Sequence, residues 1–504
     1  MSKRTVIAAI LLKSMVVCAL YAQNYSAPLT MEGLDHTSDP SVLSKAMGGA
    51  SLTLKNDVSL MFANPASLNT LDRLTISVGS AQAMTNANQT QQWYPLFSFG
   101  SFSTLMDGST RGIVPVGVAT SPADTNWVPF DNIVPNWSHK NNSDIVPNIF
   151  VGMPFKIGNV KLAAGLGYSE YANMTHFYEN NNDLSPEYDL VLIGNPADTR
   201  DSVQRINWFE TVHARTGSLH SMGGALSADV NDNLSIGVSG RAIAGSTNDF
   251  DMNYGRGVLW FYSAGKAQKI WPAATSNVMR VDTATYNKMI SGTSDYSGFE
   301  LNVSTQYRTK NVTLGASVTI PTTITRDFSG QVLSDTVKHN VYAASYSQVD
   351  TSYSEKMHLP IKAKVGIGLQ LRPNVFLAAE YDYLPYGSAK LDAAGATTKP
   401  WLDGTGFHIG IAWEPINILS LRFGYRRQKE VFAAQYTAYT GDPIAYNAYS
   451  AGAGVQLMPN LNLNVAYEFY EMKYEDTWAQ SYNINILRSN FFSASLSYAL
   501  NALK

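Results

Sequence analysis

Leu461-Asn462-Leu463-Asn464-Val465-Ala466-Tyr467-Glu468-Phe469 decides the fold. Its odd positions are apolar and its even positions polar or small, so an extended chain shows one face to hydrocarbon and the other to water. Over about ten residues, this is the dyad of a membrane β-barrel wall. Upstream, Leu419, Leu421, Phe423 and Tyr425 alternate with Ser420, Arg422, Gly424 and Arg426. Ala363, Val365, Ile367, Leu369 and Leu371 alternate with Lys362, Lys364, Gly366, Gly368 and Gln370. A soluble β-sandwich alternates too, so a second observation must separate the two.

The N-terminus supplies it. Lys3 and Arg4 precede an apolar stretch from Val6 to Leu20, and Ala22 is a small residue before a plausible cut, so residues 1–22 read as a secretory signal. Lys13 and Leu20 depart from the ideal pattern, and Val16-Val17 is a poor lead-in for a lipidated Cys18. With the signal removed no cysteine remains, which suits an oxidising envelope compartment. No apolar run reaches 18 residues, mean hydropathy is −0.12, and Tyr outnumbers Phe by 28 to 20. An envelope protein without a spanning helix crosses the bilayer only as a closed barrel, because lipid satisfies no backbone polar group. The formal net charge of −3 and the lack of a basic patch exclude an electrostatic footing for nucleic acid.

The chain divides into hairpins. Short turns rich in Asn, Pro and Gly fall at 156–159, 231–233, 309–310, 372–374, 414–417 and 458–460, each flanked by alternating segments. A final strand spans Phe491 to Leu500, and parity requires one more before the first hairpin, for which Leu74 to Met84 fits. The expected fold is all-β: a transmembrane antiparallel barrel of 14 strands. Sixteen is the alternative if Pro95–Thr104 and Arg111–Thr120 join the wall; Pro95, Pro115 and Pro122 argue against it. The stretches Ala172–Ser218 and Gly245–Gly298 read as long outer loops, and the short turns place both mature termini in the periplasm.

Ser44 to Leu68 does not alternate. It carries Gly48 and Gly49, then Asp57, then Asn64-Pro65-Ala66. Here the sequence resembles the long-chain fatty acid and aromatic-hydrocarbon transporter family, the FadL-like barrels, whose N-terminal hatch has a similar small-residue stretch, an acidic residue and Asn-Pro-Ala. Leu359-Pro360-Ile361, Gly366-Ile367-Gly368, Arg372-Pro373-Asn374, Leu377 to Tyr381 and Leu421 to Tyr425 continue the likeness, which covers most of Val42 to Leu500. The terminal Leu500 to Lys504 and the Pro95–Thr120 segment depart from it. The resemblance implies residues 23–73 as a periplasmic hatch plugging the lumen of a barrel over 74–504, in the outer membrane of a Gram-negative bacterium. It also implies passive uptake of a lipophilic small molecule that leaves sideways through the wall, with outer-membrane lipids and the barrel assembly machinery as partners. A second reading is a barrel scaffold or shuttle of a type IX secretion system, whose partners would be secreted proteins.

Two groups of residues are candidates for function. Val258, Leu259, Trp260, Phe261 and Tyr262, with Trp271, put aromatics in an expected loop, where an exposed apolar patch could capture a lipophile; loop packing or an interfacial belt is the plainer reading. By alternation Lys362, Lys364, Glu380, Asp382, His408, Arg422, Arg426 and Glu468 face the lumen, as ion pairs that brace the wall and hold the hatch or, for Arg422 and Arg426, as carboxylate binders. The eight His show no metal-protease spacing and no Gly-x-Ser-x-Gly elbow occurs, so no enzyme is expected. No cofactor and no metal are expected either; Asp249, Asp251 and Asn253 echo calcium spacing without the glycine and distal glutamate it needs.

Overall fold

The computed structural model describes residues 31, 33–93, 136–143, 145–181, 187–192, 202–263, 277–282, 286–336, 345–431, 444–478 and 481–500. Alternation is realised as a wall. In the strand Leu461–Trp478, Val465 and Tyr467 are 43 % and 37 % exposed while Asn464, Ala466 and Glu468 are buried.

Fourteen antiparallel strands, several of them in pieces, close the barrel. β1 is Thr75–Trp93; β2 is Trp137–Asn142 and Val146–Ile157; β3 is Val160–Asn173, His176–Asn181 and Glu187–Leu192. β4 is Ser202–Asp229, β5 Leu234–Ser263, and β6 Asn277–Asp282 with Tyr286–Arg308. β7 is Val312–Thr319 and Thr322–Thr336, and β8 is Ser345–Leu359 and Lys362–Arg372. β9 is Val375–Leu384 with Lys390–Ala393, β10 Ala396–Thr398 with Gly404–Ile416, β11 Leu419–Lys429 and β12 Ala445–Met458. β13 is Leu461–Trp478 and β14 Ser481–Ala499, which pairs with β1 from Thr75↔Ala499 to Trp93↔Ser481 and shuts the cylinder. All six hairpins expected from the turns are present.

Several strands run far past the expected ten or so residues. β1 ends at Trp93 rather than Met84, β14 begins ten residues before Phe491, and β4 and β5 are 28 and 30 residues long. Much of Ala172–Ser218 and Gly245–Gly298, read as loops, is therefore strand. The reason is visible on β7: outward Leu314 and Ile320 give way beyond Pro321 to outward Thr323, Asp327 and Ser329. A wall continuing into water has no need of an apolar outer face, so the signal stops where the bilayer stops. The stretch Pro95–Thr120 lies outside the described residues.

The first described residues run inside this wall. Val42–Ala46 forms one helix, α1, followed by 3-10 turns at Val58–Phe62 and Pro65–Thr70. Val58, Met61, Phe62, Leu68 and Leu71 form one cluster with inward Phe150, Ala163 and Ala225. Met47, Ala50, Leu54 and Leu60 form another with Ala378.

Candidate functional site

The segment expected as a hatch is tied to the wall by its backbone. Ser41 caps α1 by accepting from Ser44 N–H at 3.1 Å, and Gly48 and Gly49 end it at φ +71° and +89°, where only glycine is unstrained. These turns let the chain lie flat on the wall: a Cβ on Gly48 would meet Tyr425 O at 2.7 Å, and one on the facing Gly424 would meet Gly48 N at 2.0 Å. Asp57 accepts from Ser41 Oγ at 2.5 Å and Ser59 N–H at 3.0 Å, joining two turns 16 residues apart. Asn64 donates to Leu52 O at 2.8 Å, Pro65 opens the second turn, and Ala66 N–H donates to Ser304 Oγ at 2.9 Å.

The lumen charges complete this attachment. Glu380 accepts from Ser51 N–H at 2.7 Å and Leu52 N–H at 2.9 Å, and Lys364 reaches Asp382 at 2.8 Å and Glu380 at 3.6 Å. His408 Nδ1 donates to Gly48 O at 2.7 Å while its Nε2 lies 3.3 Å from Asp382. Arg426 pairs with Glu468 at 2.8 Å, Arg422 donates to Asn464 at 3.2 Å, and Lys362 lies 3.3 Å from Glu300.

A larger network escaped the sequence reading. Fully buried Arg326 contacts Asp249 at 2.6 Å, Glu355 at 2.8 Å and Ser294 at 2.8 Å, and Arg215 shares Asp249 at 2.6 Å. Below it Glu300 gathers Arg241, Lys362 and Tyr171. Alternation along β4 to β8 could have placed these side chains inward, had the strands been read to their full length. Asp249 thus serves two arginines on a strand, not a calcium loop. Met31, Leu34, Tyr171, Met174, Tyr296, Ile324 and neighbours fill the remaining space on this side.

The other side of the lumen is open. A cavity of about 800 Å³ is lined by residues of the N-terminal segment between Met31 and Asp39 and by inward residues of β1, β2, β3 and β11 to β14. At its edge His36 stands between Glu430 at 3.0 Å and Asp35 at 3.2 Å. Their ligand atoms lie within 4.8 Å of one another, the spacing a cation could use. Burial opposes protonation of His36, but the two carboxylates outweigh it and hold its pKa well above the ordinary 6.5.

The same cavity meets a break in the wall. β2 and β3 pair from Ile157↔Val160 to Ile149↔Tyr168 and, among the described residues, no further. Beyond that point Trp137–Asn142 pairs only with β1, and His176–Asn181 only with β4. The seam is filled by side chains instead: His139 stacks on Phe177 at 3.7 Å and Trp137 packs edge-on to Phe177 at 5.5 Å. From within, Thr37 bridges to Ala172, and Ser38 donates to Tyr171 O at 2.7 Å and Glu170 at 2.9 Å. Where no ladder joins neighbouring strands, a molecule can cross the wall without breaking one.

The expected capture loop is different. Val258 to Tyr262 lie on β5, paired with Val203 to Asn207 of β4 and with Asn277–Asp282. They are strand, not loop, because the β4–β5 ribbon continues beyond the bilayer; Trp271 lies outside the described residues.

A closed 14-stranded barrel, an inner N-terminal segment and a lateral seam define an outer-membrane barrel of the FadL fold. A Pseudomonas aeruginosa FadL homologue superposes with a TM-score of 0.56 at 16 % identity, covering 94 % of this chain and 100 % of that one. The P. putida toluene transporter TodX does so with a TM-score of 0.53 at 14 % identity, covering 92 % and 99 %. The BamG family model matches residues 197–502, and the chain belongs to the BamG family. No curated protein matches it.

Proposed function

We propose that this protein is a channel of the Gram-negative outer membrane for small hydrophobic molecules, and not an enzyme. One observation carries the reading: a cavity of about 800 Å³ abuts the seam between β2 and β3, where, among the described residues, their ladder ends at Ile149↔Tyr168. A ligand entering from outside would rest in the cavity and leave sideways through the seam. The fold shared with a toluene transporter supports this, and the ring-rich lining suits an aromatic molecule better than a long saturated chain. A bis-maleimide crosslink between cysteines at His139→Cys and Phe177→Cys tests it. Uptake of a labelled aromatic hydrocarbon should stop while the barrel still assembles; an unchanged rate would remove the seam as the exit.

A second reading has its own support. Membership of the BamG family favours a part in outer-membrane barrel assembly, and the polar outer faces of β4 to β8 beyond the bilayer offer surface to a protein partner. If loss of the protein depletes other outer-membrane barrels and leaves hydrocarbon uptake normal, this reading replaces the channel. Failure to export a class of surface proteins would instead favour the secretion scaffold.

A further inference from the structure

We infer that the lumen cavity selects lipophilic organic cations: molecules with aromatic or aliphatic bulk and a positive nitrogen or phosphorus, in preference to anionic lipophiles such as fatty acids. The inference deepens the channel reading and rests on it.

Charge balance is the first argument. Among the described residues lining the cavity, the carboxylates Asp35, Asp39, Glu170, Glu430 and Glu468 face only two fixed cations, Lys45 and Arg426, a net charge of −3 with the histidines neutral. The two cations are also engaged: Arg426 holds Glu468 at 2.8 Å, and Lys45 lies 5.8 Å over the Phe491 ring. The carboxylates are less well matched. Glu170 accepts from the neutral hydroxyl of Ser38, Asp39 accepts from the Ser41 amide with Lys45 and Lys364 in its field, and Glu430 and Asp35 converge on one imidazole. Even with His36 charged, the cavity remains negative. A fatty acid carboxylate placed here would meet like charge in a low-dielectric space, which repels it.

The lining is the second argument. Trp137, Phe177, Trp401, Tyr446, Tyr470 and Phe491 all border the cavity. Aromatic faces beside carboxylates are how proteins hold bulky cations, through attraction to the ring quadrupole. A bare divalent metal would use only the Asp35, His36 and Glu430 corner and leave the rings without a role.

Tetraphenylphosphonium and tetraphenylborate, matched in shape and opposite in charge, test this with the full protein in neutral-lipid nanodiscs. Binding is read by calorimetry after subtraction of empty discs, with naphthalene as a neutral probe. The phosphonium should bind at least about tenfold more tightly than the borate. Asp35→Asn with Glu430→Gln should weaken the phosphonium about tenfold and erase the preference, with heat-modifiable gel migration confirming that the barrel is folded. Tighter borate binding, or a double variant that binds like wild type, would overturn the inference. So would stoichiometric Zn²⁺ binding lost in His36→Ala without any phosphonium binding. Naphthalene binding with no charge preference would sink the charge inference alone. If none of the three probes binds, the channel reading falls with it.

Discussion

The two halves of the lumen are built on the same alternating wall and finish differently. On the β4 to β8 side the inward positions carry charges in complementary sets on adjacent strands, with Arg215, Arg326, Asp249 and Glu355 meeting at 2.6–2.8 Å and apolar side chains filling the rest. On the side of β1 to β3 and β11 to β14 the inward positions carry large rings and unequal charge, and the N-terminal segment, packed on β12 and β13 through Val42 and Ala46, lines the space without filling it. A lumen is therefore closed by stoichiometry as much as by bulk. Charges that find partners on the next strand collapse the space between them, and where the charges are unequal a cavity is left.

The largest test of this contrast is Arg326→Met. It removes the buried cation that Asp249 and Glu355 share, leaving Arg215 alone to balance Asp249, and should cost about 3–5 kcal/mol, read as a lower urea midpoint for unfolding from lipid vesicles. A midpoint within error of wild type would mean the filled half is held by packing alone.

Next in size is the floor beneath both halves. Gly424→Val drives a side chain into the Gly48 backbone, which a Cβ already approaches to 2.0 Å. Overpacking of about 1–3 kcal/mol should lift the hatch and raise single-channel conductance in planar bilayers. Unchanged conductance with a correctly assembled barrel would show that this contact does not seal the lumen.

Glu468→Gln probes the open half. The Arg426–Glu468 pair is partly solvated, so its loss should cost about 0.5–1.5 kcal/mol, well short of the Arg326 change in the same vesicle assay. Equal losses at the two sites would erase the distinction drawn between the halves.

The smallest expected effect is on pH. The folded-state pKa of His36 is raised, so its contribution is complete below the ordinary 6.5 and is lost as pH rises through the elevated value. Protection of the amides at 33–38 against hydrogen exchange should therefore fall on the alkaline side in wild type, after correction for intrinsic rates. His36→Gln should show no such step. A loss of protection on the acid side instead would reverse the sign and break the link between His36 and the rim.

What the sequence determined by itself was the wall. A period of two is a local property, so Leu461 to Phe469 or Leu419 to Arg426 reveals two faces without any knowledge of neighbours. Six short turns then count the strands. Gly48, Gly49 and Asn64-Pro65-Ala66 marked the inner segment through the family resemblance, and the residue types fit because turns and close backbone approach demand them locally. Strand length was not legible, since beyond the bilayer the outer face is no longer apolar and the contrast between faces weakens; Val258 to Tyr262, an unbroken apolar run, show no alternation and were read as loop.

Only the tertiary structure could decide the rest. Ser51 finds Glu380 across 329 residues and Gly48 finds Ser450 across 402, and closure of the barrel alone brings such positions together. The seam is where two strands stop pairing, and pairing belongs to two segments at once. The cavity, likewise, is space left by side chains from many separate strands, so its volume and net charge exist only once the cylinder is shut.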